Sequence, residues 1–293
     1  MSKTIVRPFL QWPGGKAKVA PLILPHFKLP AKKFIEPLCG AAAISLAVAT
    51  KGGAEEFWIN DINSDLINLF RWATAKYDRL DNLIGLAKRE FFDDLNGKDG
   101  SHYYCVRDAF NRSGRRHNGL LEAAWFFYLD FHCYNALIRY NSKGEFNSPY
   151  RKDRKIAAFP EQAIRNFARL IRNATFTCQD FKKVMDQCDS GDVVYCDPPY
   201  VPLSKTANFT TYSRGGFGMK EQTRLVEAAR AAQQRGAQVI ISNHDTPAAR
   251  ELYADATEII SLEVMRSISC KSASRGSVKE LIAIYESVKG VTK

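Results

Sequence analysis

Short runs dense in β-branched and aromatic residues recur along the chain, and stretches with helical apolar spacing lie between them. The runs are KKFIEPL (32–38), EEFWIND (55–61), ATFTCQD (174–180), GDVVYCD (191–197), AQVIISN (237–243) and TEIISLEVM (257–265). AAAISLAVATK (41–51) and SDLINLFRWATAKY (64–77) follow the first two, and KEQTRLVEAARAAQQRG (220–236) separates the fourth from the fifth, with Gly236 as its stop. Strand and helix in alternation predict a doubly wound, Rossmann-like α/β fold. The alternation lapses over 75–155, where an aromatic helix, GLLEAAWFFYLDFHCYNAL (119–137), stands between the basic segments NRSGRRHNG (111–119) and RYNSKGEFNSPYRKDRK (139–155). A main domain of 1–74 and 156–293 with an inserted, mainly helical domain over 75–155 is therefore expected. Trp125, Phe126, Phe127, Tyr128 and Phe131 have core spacing, whereas Tyr134 sits at the end of that helix and escapes it.

A chain of 293 residues, 45% hydrophobic and 12% aromatic, can bury a sizeable core, which excludes a disordered or fibrous protein. Its 42 Lys and Arg against 31 Asp and Glu leave a net charge of +11 and favour a polyanionic partner. The seven cysteines never form C-x-x-C and are expected to be reduced and mostly buried. No apolar run reaches the roughly 18 residues of a membrane span, and MSKTIVRPFLQW lacks the pattern of a secretion signal, so a cytoplasmic protein is expected.

Glu36-Pro37-Leu38-Cys39-Gly40-Ala41-Ala42 leads from a strand into a helix, where a backbone must often pass close to a ligand, with Gly40 as the small pivot. Asp61 ends the next strand, where a carboxylate can accept ribose hydroxyls; it can equally cap the helix that follows, as Gly40 can be a plain tight turn. QWPGGKAKV (11–19) brings Trp12 and Lys16 into one short loop, fit to stack a ring and approach an anion, or simply to turn.

Asp197-Pro198-Pro199-Tyr200 closes the apolar strand GDVVYC, where open α/β sheets put their reacting groups. The lone pair of an adenine amino group is delocalised into the ring, so a site that makes this nitrogen a nucleophile must accept its hydrogens. Asp197 can take one N–H and the Pro198 carbonyl the other, while Pro199 stiffens the loop and Tyr200 stacks on the base. No metal is required. Alone, the tetrapeptide is also compatible with a rigid strand exit.

QWPGGK, EPLCGAAAI, NDINSDLI, YNALIRYNSKGEFNSPY, VVYCDPPYVPLSKTANFTTY, ISNHDT and RSIS stand in one order across nearly the whole chain. In this set the sequence resembles the Dam family of DNA adenine-N6 methyltransferases, the D12 class that recognises GATC. The resemblance implies S-adenosylmethionine as methyl donor, bound by Trp12, Lys16, Asp61 and Asp197 with the loop 36–42, and a weaker place for Asp180 beside the cofactor's adenine. As a bare feature, Asp180 fits a loop cap better.

Methylating a paired base requires extracting it, so something must fill the gap and something must read the site. Tyr134-Asn135-Ala136-Leu137-Ile138-Arg139 offers an aromatic ring to stack into the opened duplex and a guanidinium to contact a guanine edge. By resemblance, Leu137 and Pro149 offer apolar contacts to thymine. Arg112, Arg115 and Arg116, with Lys271 and Arg275, suit phosphates, although charge runs are more often solvated faces. Double-stranded DNA is the partner expected, acted on by a monomer in the nucleoid, with no membrane and no obligate protein partner.

Two departures from the family stand out. Gly40 is followed by Ala41 and Ala42 where Gly-x-Gly is common, and Gln11 precedes Trp12 where a Lys that reads the outer guanine is typical. The first keeps open a DNA-binding relative that methylates weakly. The second keeps open relaxed reading of the first base pair, and DPPY alone also admits RNA or glutamine nitrogens as substrates.

Overall fold

Strands apolar at every position have no face to give to water and need cover on both sides. The computed structural model describes residues 4–75, 78–96, 99–113, 119–152, 158–201, 216–265 and 277–287. In it β1 (Ala31–Glu36), β2 (Ala54–Asn60), β3 (Thr175–Thr177), β4 (Asp192–Cys196), β5 (Gln238–His244), β6 (Glu258–Met265) and β7 (Ser277–Tyr285) form one sheet of order β3-β2-β1-β4-β5-β7-β6. β1 to β5 pair in parallel, and β7 enters antiparallel between β5 and β6. Phe34, Val193, Ile240 and Ile282 share one apolar cluster with Val19, Ile23 and Val48; their neighbours Ile35, Val194, Ile241 and Ala283 share another with Leu225, Ala229 and Tyr253. The fold is α/β as expected.

Ten helices of the described residues surround the sheet: α1 (Ala20–Ile23), α2 (Ala43–Lys51), α3 (Ser64–Ala73), α4 (Asp78–Asn96), α5 (Ser101–Arg112), α6 (Leu120–His132), α7 (Glu161–Ile171), α8 (Phe181–Met185), α9 (Met219–Gln234) and α10 (Pro247–Leu252). None is long and apolar enough to cross a membrane. α9 stops where expected, with Gly236 at φ +96°. Cys39, Cys133, Cys188 and Cys196 are buried and free, Cys105 and Cys178 exposed and free, while Cys270 lies outside the described residues.

α4, α5 and α6 lie in the chain between α3 and α7, and all of them share one apolar cluster. Phe126, Phe127, Tyr128 and Phe131 are buried in it; Trp125 is half-buried, with Nε1 donating to Glu90 Oε1 at 3.3 Å. The aromatic helix ends at His132, five residues before the expected 137. A returning segment takes over its backbone: Arg151 N donates to the His132 carbonyl and Tyr134 N to the Pro149 carbonyl, and Cys133 is bridged to Tyr150. Asn135 and Ala136 then turn through the left-handed region, both at φ 54°.

Phe9 ties these layers together, its ring edge-on to Phe70 of α3, Phe127 of α6 and Phe167 of α7 at 6.1, 5.6 and 4.9 Å. Phe9→Ala is expected to destabilise the fold by about 3–5 kcal/mol, the usual effect of emptying a buried aromatic site. Urea unfolding measures this, and a loss below about 1 kcal/mol contradicts the keystone role.

Candidate active site

β1 and β4 are neighbours whose chain connections leave to opposite sides of the sheet, which opens a crevice at their carboxyl ends. Asp197 leaves β4 into that crevice. Its Oδ1 is buried and forms a close ion pair with the Lys16 ammonium, 3.1 Å away. Lys16 is itself buried, donates to the Gly14 carbonyl at 3.1 Å, and stands 3.8 Å from Glu280 Oε2 and 4.5 Å from the centre of the Tyr200 ring. Tyr200 donates its hydroxyl to Glu280 at 2.9 Å and meets His244 edge-to-face at 4.7 Å.

The backbone of the tetrapeptide is held from β5 and α9. Gln222 Nε2 donates to the Pro199 carbonyl at 2.7 Å, and Val201 N donates to Asn243 Oδ1 at 3.0 Å. Burial raises the Asp197 pKa above the ordinary carboxylate value; Lys16 opposes that rise and Glu280 adds to it. The tetrapeptide thus sets a carboxylate against a buried cation.

Across the crevice, Gly40 adopts φ +46°, and a Cβ built there would stand 2.7 Å from Trp12 Nε1, so only glycine lets the loop pass under the indole. Gly40 N donates to Asp61 Oδ2 at 3.0 Å and Asn63 N to Asp61 Oδ1 at 2.9 Å. Asn63, not Asp61, caps α3, accepting from the N–H groups of Asp65 and Leu66. Asn60 is buried beside it and joins three strand ends: Nδ2 donates to the carbonyls of Pro37 and Gln179, and Oδ1 accepts from Thr177 and Gln179 N.

The family model for D12 class N6 adenine-specific DNA methyltransferases matches residues 12–268, from the Trp12 loop past the tetrapeptide. The chain belongs to this family. It is 39% identical over 281 residues to the DNA adenine methylase of Serratia marcescens, an alignment covering 95% of this chain and 98% of that one. With the DNA adenine methylase of Escherichia coli strain K12 it shares 38% over 281 residues, 96% and 95% of the two chains. The DNA N-6-adenine-methyltransferase of Escherichia phage P1 is 40% identical over 280 residues; the match covers 95% of this chain and only 35% of the phage protein. This member of the family is accordingly an adenine-specific DNA methyltransferase.

The residues expected to meet DNA gather on the lobe that follows α6. Tyr134, Asn135, Arg139 and Pro149 are exposed and Leu137 half-buried. Arg139 Nε donates to Asn147 Oδ1 at 2.9 Å, and Ser148 Oγ accepts from Arg139 N at 3.1 Å. Tyr140 anchors the lobe to α3 through a 2.7 Å hydrogen bond to Asp65. Gln11 reaches the lobe too: its Oε1 accepts from both terminal nitrogens of Arg151 at 3.4 Å, and its backbone N donates to buried Asp130 at 2.9 Å. Arg112 is exposed at the end of α5, while Arg115, Arg116, Lys271 and Arg275 lie outside the described residues.

Asp180 caps α8 through Lys182 N and pairs with Arg224 at 3.0 Å. Glu36 Oε2 accepts from the backbone N–H of Ser45 at 2.9 Å and from its hydroxyl. Glu280, Asn243, Gln222, His244, Asn60 and Arg151 are absent from the expectations, yet they hold the expected residues in place; of them Asn60, in NDINSDLI, and Asn243 and His244, in ISNHDT, lie in segments that carry the resemblance. Among the described residues one group approaches metal-ligand spacing, Glu90, Asp93 and His102, and it includes no residue of the crevice.

Ala42 departs from the family's glycine and takes a glycine's conformation, φ 55°, at the start of α2. Its methyl is fully buried in the apolar cluster of α3 and α6. Ala42→Gly removes left-handed strain of about 1–2 kcal/mol and a buried methyl worth about 0.8 kcal/mol. The balance is a gain of no more than about 1 kcal/mol, and an equilibrium unfolding measurement showing a clear loss contradicts it.

Burial of Glu36 raises its pKa from 4.5 to about 8, with the Ser45 hydrogen bonds opposing and Asp197 adding to the rise. A carboxyl raised on folding binds its proton more tightly in the native state, so its stabilisation is full below the unfolded value and is lost as pH climbs through the folded one. Melting temperature is therefore expected to fall between pH 4.5 and about 8, and to fall less steeply in Glu36→Gln. Identical slopes for the two proteins refute that assignment.

Proposed function

We propose that the enzyme moves the methyl group of S-adenosylmethionine to N6 of an adenine rotated out of double-stranded DNA, within GATC. The observation that carries the reading is the Asp197 carboxylate at the carboxyl end of β4, paired at 3.1 Å with the buried Lys16 ammonium beside Tyr200. One amino N–H is assigned to that carboxylate. Accepting it pulls electron density back onto N6 as the nitrogen becomes tetrahedral, and the Pro198 carbonyl is assigned the second N–H. Tyr200 is assigned the base plane: with Lys16 on its ring and its hydroxyl on Glu280, it is stiffened before any substrate arrives.

When bound, S-adenosylmethionine supplies an electrophilic methyl on a sulfonium. Asp61, held by the backbone N–H groups of Gly40 and Asn63, suits ribose hydroxyls. Trp12 over Gly40 suits a stacked ring, and Glu36, Pro37 and the loop to Ala42 form the wall. Asp180 is assigned no more than a place at the rim. Tyr134 is proposed to fill the space left by the flipped base, Arg139 to contact a guanine edge, Asn135, Leu137 and Pro149 to line the remaining base edges, and Arg112 and Arg116 to contact phosphates. Gln11, whose Oε1 accepts from Arg151, is assigned the outer base pair, a neutral contact in place of a charged one. The segment 75–155 is proposed as the target-recognition unit of a monomer that works on the nucleoid in the cytoplasm.

Labelled methyl from S-adenosylmethionine is expected in N6-methyladenine of duplexes containing GATC. Asp197→Ala should lose about 10²–10⁴-fold in rate, and duplexes altered only at the first base pair should retain part of the activity. Equal labelling with and without GATC refutes the site, and no transfer by the wild type refutes the donor or the duplex substrate.

A further inference from the structure

We propose that Glu280, on β7, is a positioning residue for methyl transfer: it holds the Tyr200 hydroxyl and shares the Lys16 ammonium with Asp197. The inference rests on the reaction proposed above and adds to it a residue from a strand that contributes nothing else to the tetrapeptide. Glu280 pairs in register with His244, the last residue of β5, so the antiparallel entry of β7 brings it to the edge where the parallel strands end. Its carboxylate then meets Tyr200 at 2.9 Å and Lys16 at 3.8 Å.

Folding alone does not call for this arrangement. Two carboxylates and one ammonium withdrawn from water contribute little net stability, and apolar side chains of similar volume generally do as well. The arrangement does constrain the tetrapeptide. The Tyr200 hydroxyl is fixed by Glu280, one edge of its ring is held by His244, and Lys16 lies over the ring. Those contacts fix the tilt of the ring on which the target base is proposed to rest.

Glu280 also divides the attention of Lys16. With a second carboxylate at 3.8 Å, the ammonium is shared between Asp197 and Glu280, which weakens its hold on Asp197. Removing the second charge would draw Lys16 onto Asp197 and make that carboxyl easier to ionise. The groups that face Asp197 are Lys16 from the N-terminal loop, Glu36 of β1, Tyr195 and Cys196 of β4, Tyr200 beside it and Glu280 of β7, with His244 of β5 behind Tyr200. Of the two acidic neighbours, Glu280 is the one joined to Tyr200 by a hydrogen bond.

The test compares the full-length wild type, Glu280→Gln and Glu280→Ala by methyl transfer to a GATC duplex across pH, by thermal melting, and by hydrogen exchange of the peptide 192–201. Glu280→Gln keeps an acceptor for Tyr200 and drops the charge, so the acid limb of kcat/KM should move to lower pH. Glu280→Ala should lower kcat by about 10–100-fold with KM for DNA within about 3-fold, and should speed exchange of the peptide while the melting temperature stays near that of the wild type. An unmoved acid limb together with a kcat for Glu280→Ala within about 2-fold of wild type overturns the proposal, as does a loss of rate that follows the loss of folded protein. Should the wild type transfer no methyl to adenine, the reaction itself is refuted. Hydrogen exchange then decides the positioning role alone: faster exchange in Glu280→Ala supports it, and unchanged exchange overturns it.

Discussion

An ammonium taken out of water is tolerated only where carboxylates and carbonyls surround it, and Lys16 is buried between a carboxylate from β4 and one from β7. That requirement links three parts of the chain far apart in sequence: the loop before α1, the exit of the central strand, and an antiparallel strand inserted beyond β5. The loop cannot shift without leaving Asp197 and Glu280 facing each other, and the same loop carries Trp12 onto Gly40. One ion cluster thereby registers both walls of the crevice. Removing Lys16 leaves two carboxylates facing each other, which is far more disruptive than removing the cluster whole, whereas removing Glu280 leaves the Lys16–Asp197 pair balanced.

The second tie is uncharged. Asn60 uses its whole carboxamide on the ends of β1 and β3, so the loops carrying Pro37, Asp61 and Gln179 share a single anchor. Together, Lys16 and Asn60 tie down the strand ends that line the crevice, while the residues expected to touch DNA sit on a lobe held by Tyr140, Ser148 and the turn at Asn135 and Ala136.

Much of this was legible in the sequence. β1, β2, β4 and β5 carry apolar runs in FI, FWI, VVYC and VII and end in the residues that mark the crevice, so their ends could be named from pattern alone, and the ordered motifs pointed to Lys16, Asp61 and Asp197. β7 was not legible, because Lys279 and Glu280 stand side by side in SVKELIAIY and hide its alternation. Nor was Glu280 as a neighbour of Tyr200: which strand lies next to β5 is set by topology, not by local spacing. The aromatic helix was drawn too long because its stop is imposed by a segment returning from residue 149 onward, with no glycine or proline at 133 to announce it. α4 and α5 went unnamed because their polar faces are broad, and the link from Gln11 to Arg151 spans 140 residues.

Among the described residues β6 pairs with β7 alone, and β7 lies between it and the rest of the sheet. On the ribosome, β6 emerges first and must wait, unpaired, until the chain doubles back. The edge of β5 stays open for the same interval, and Asp197 has no Glu280 opposite it. A growing chain can therefore complete the parallel half of the sheet before Tyr200 and Lys16 gain their partner on β7.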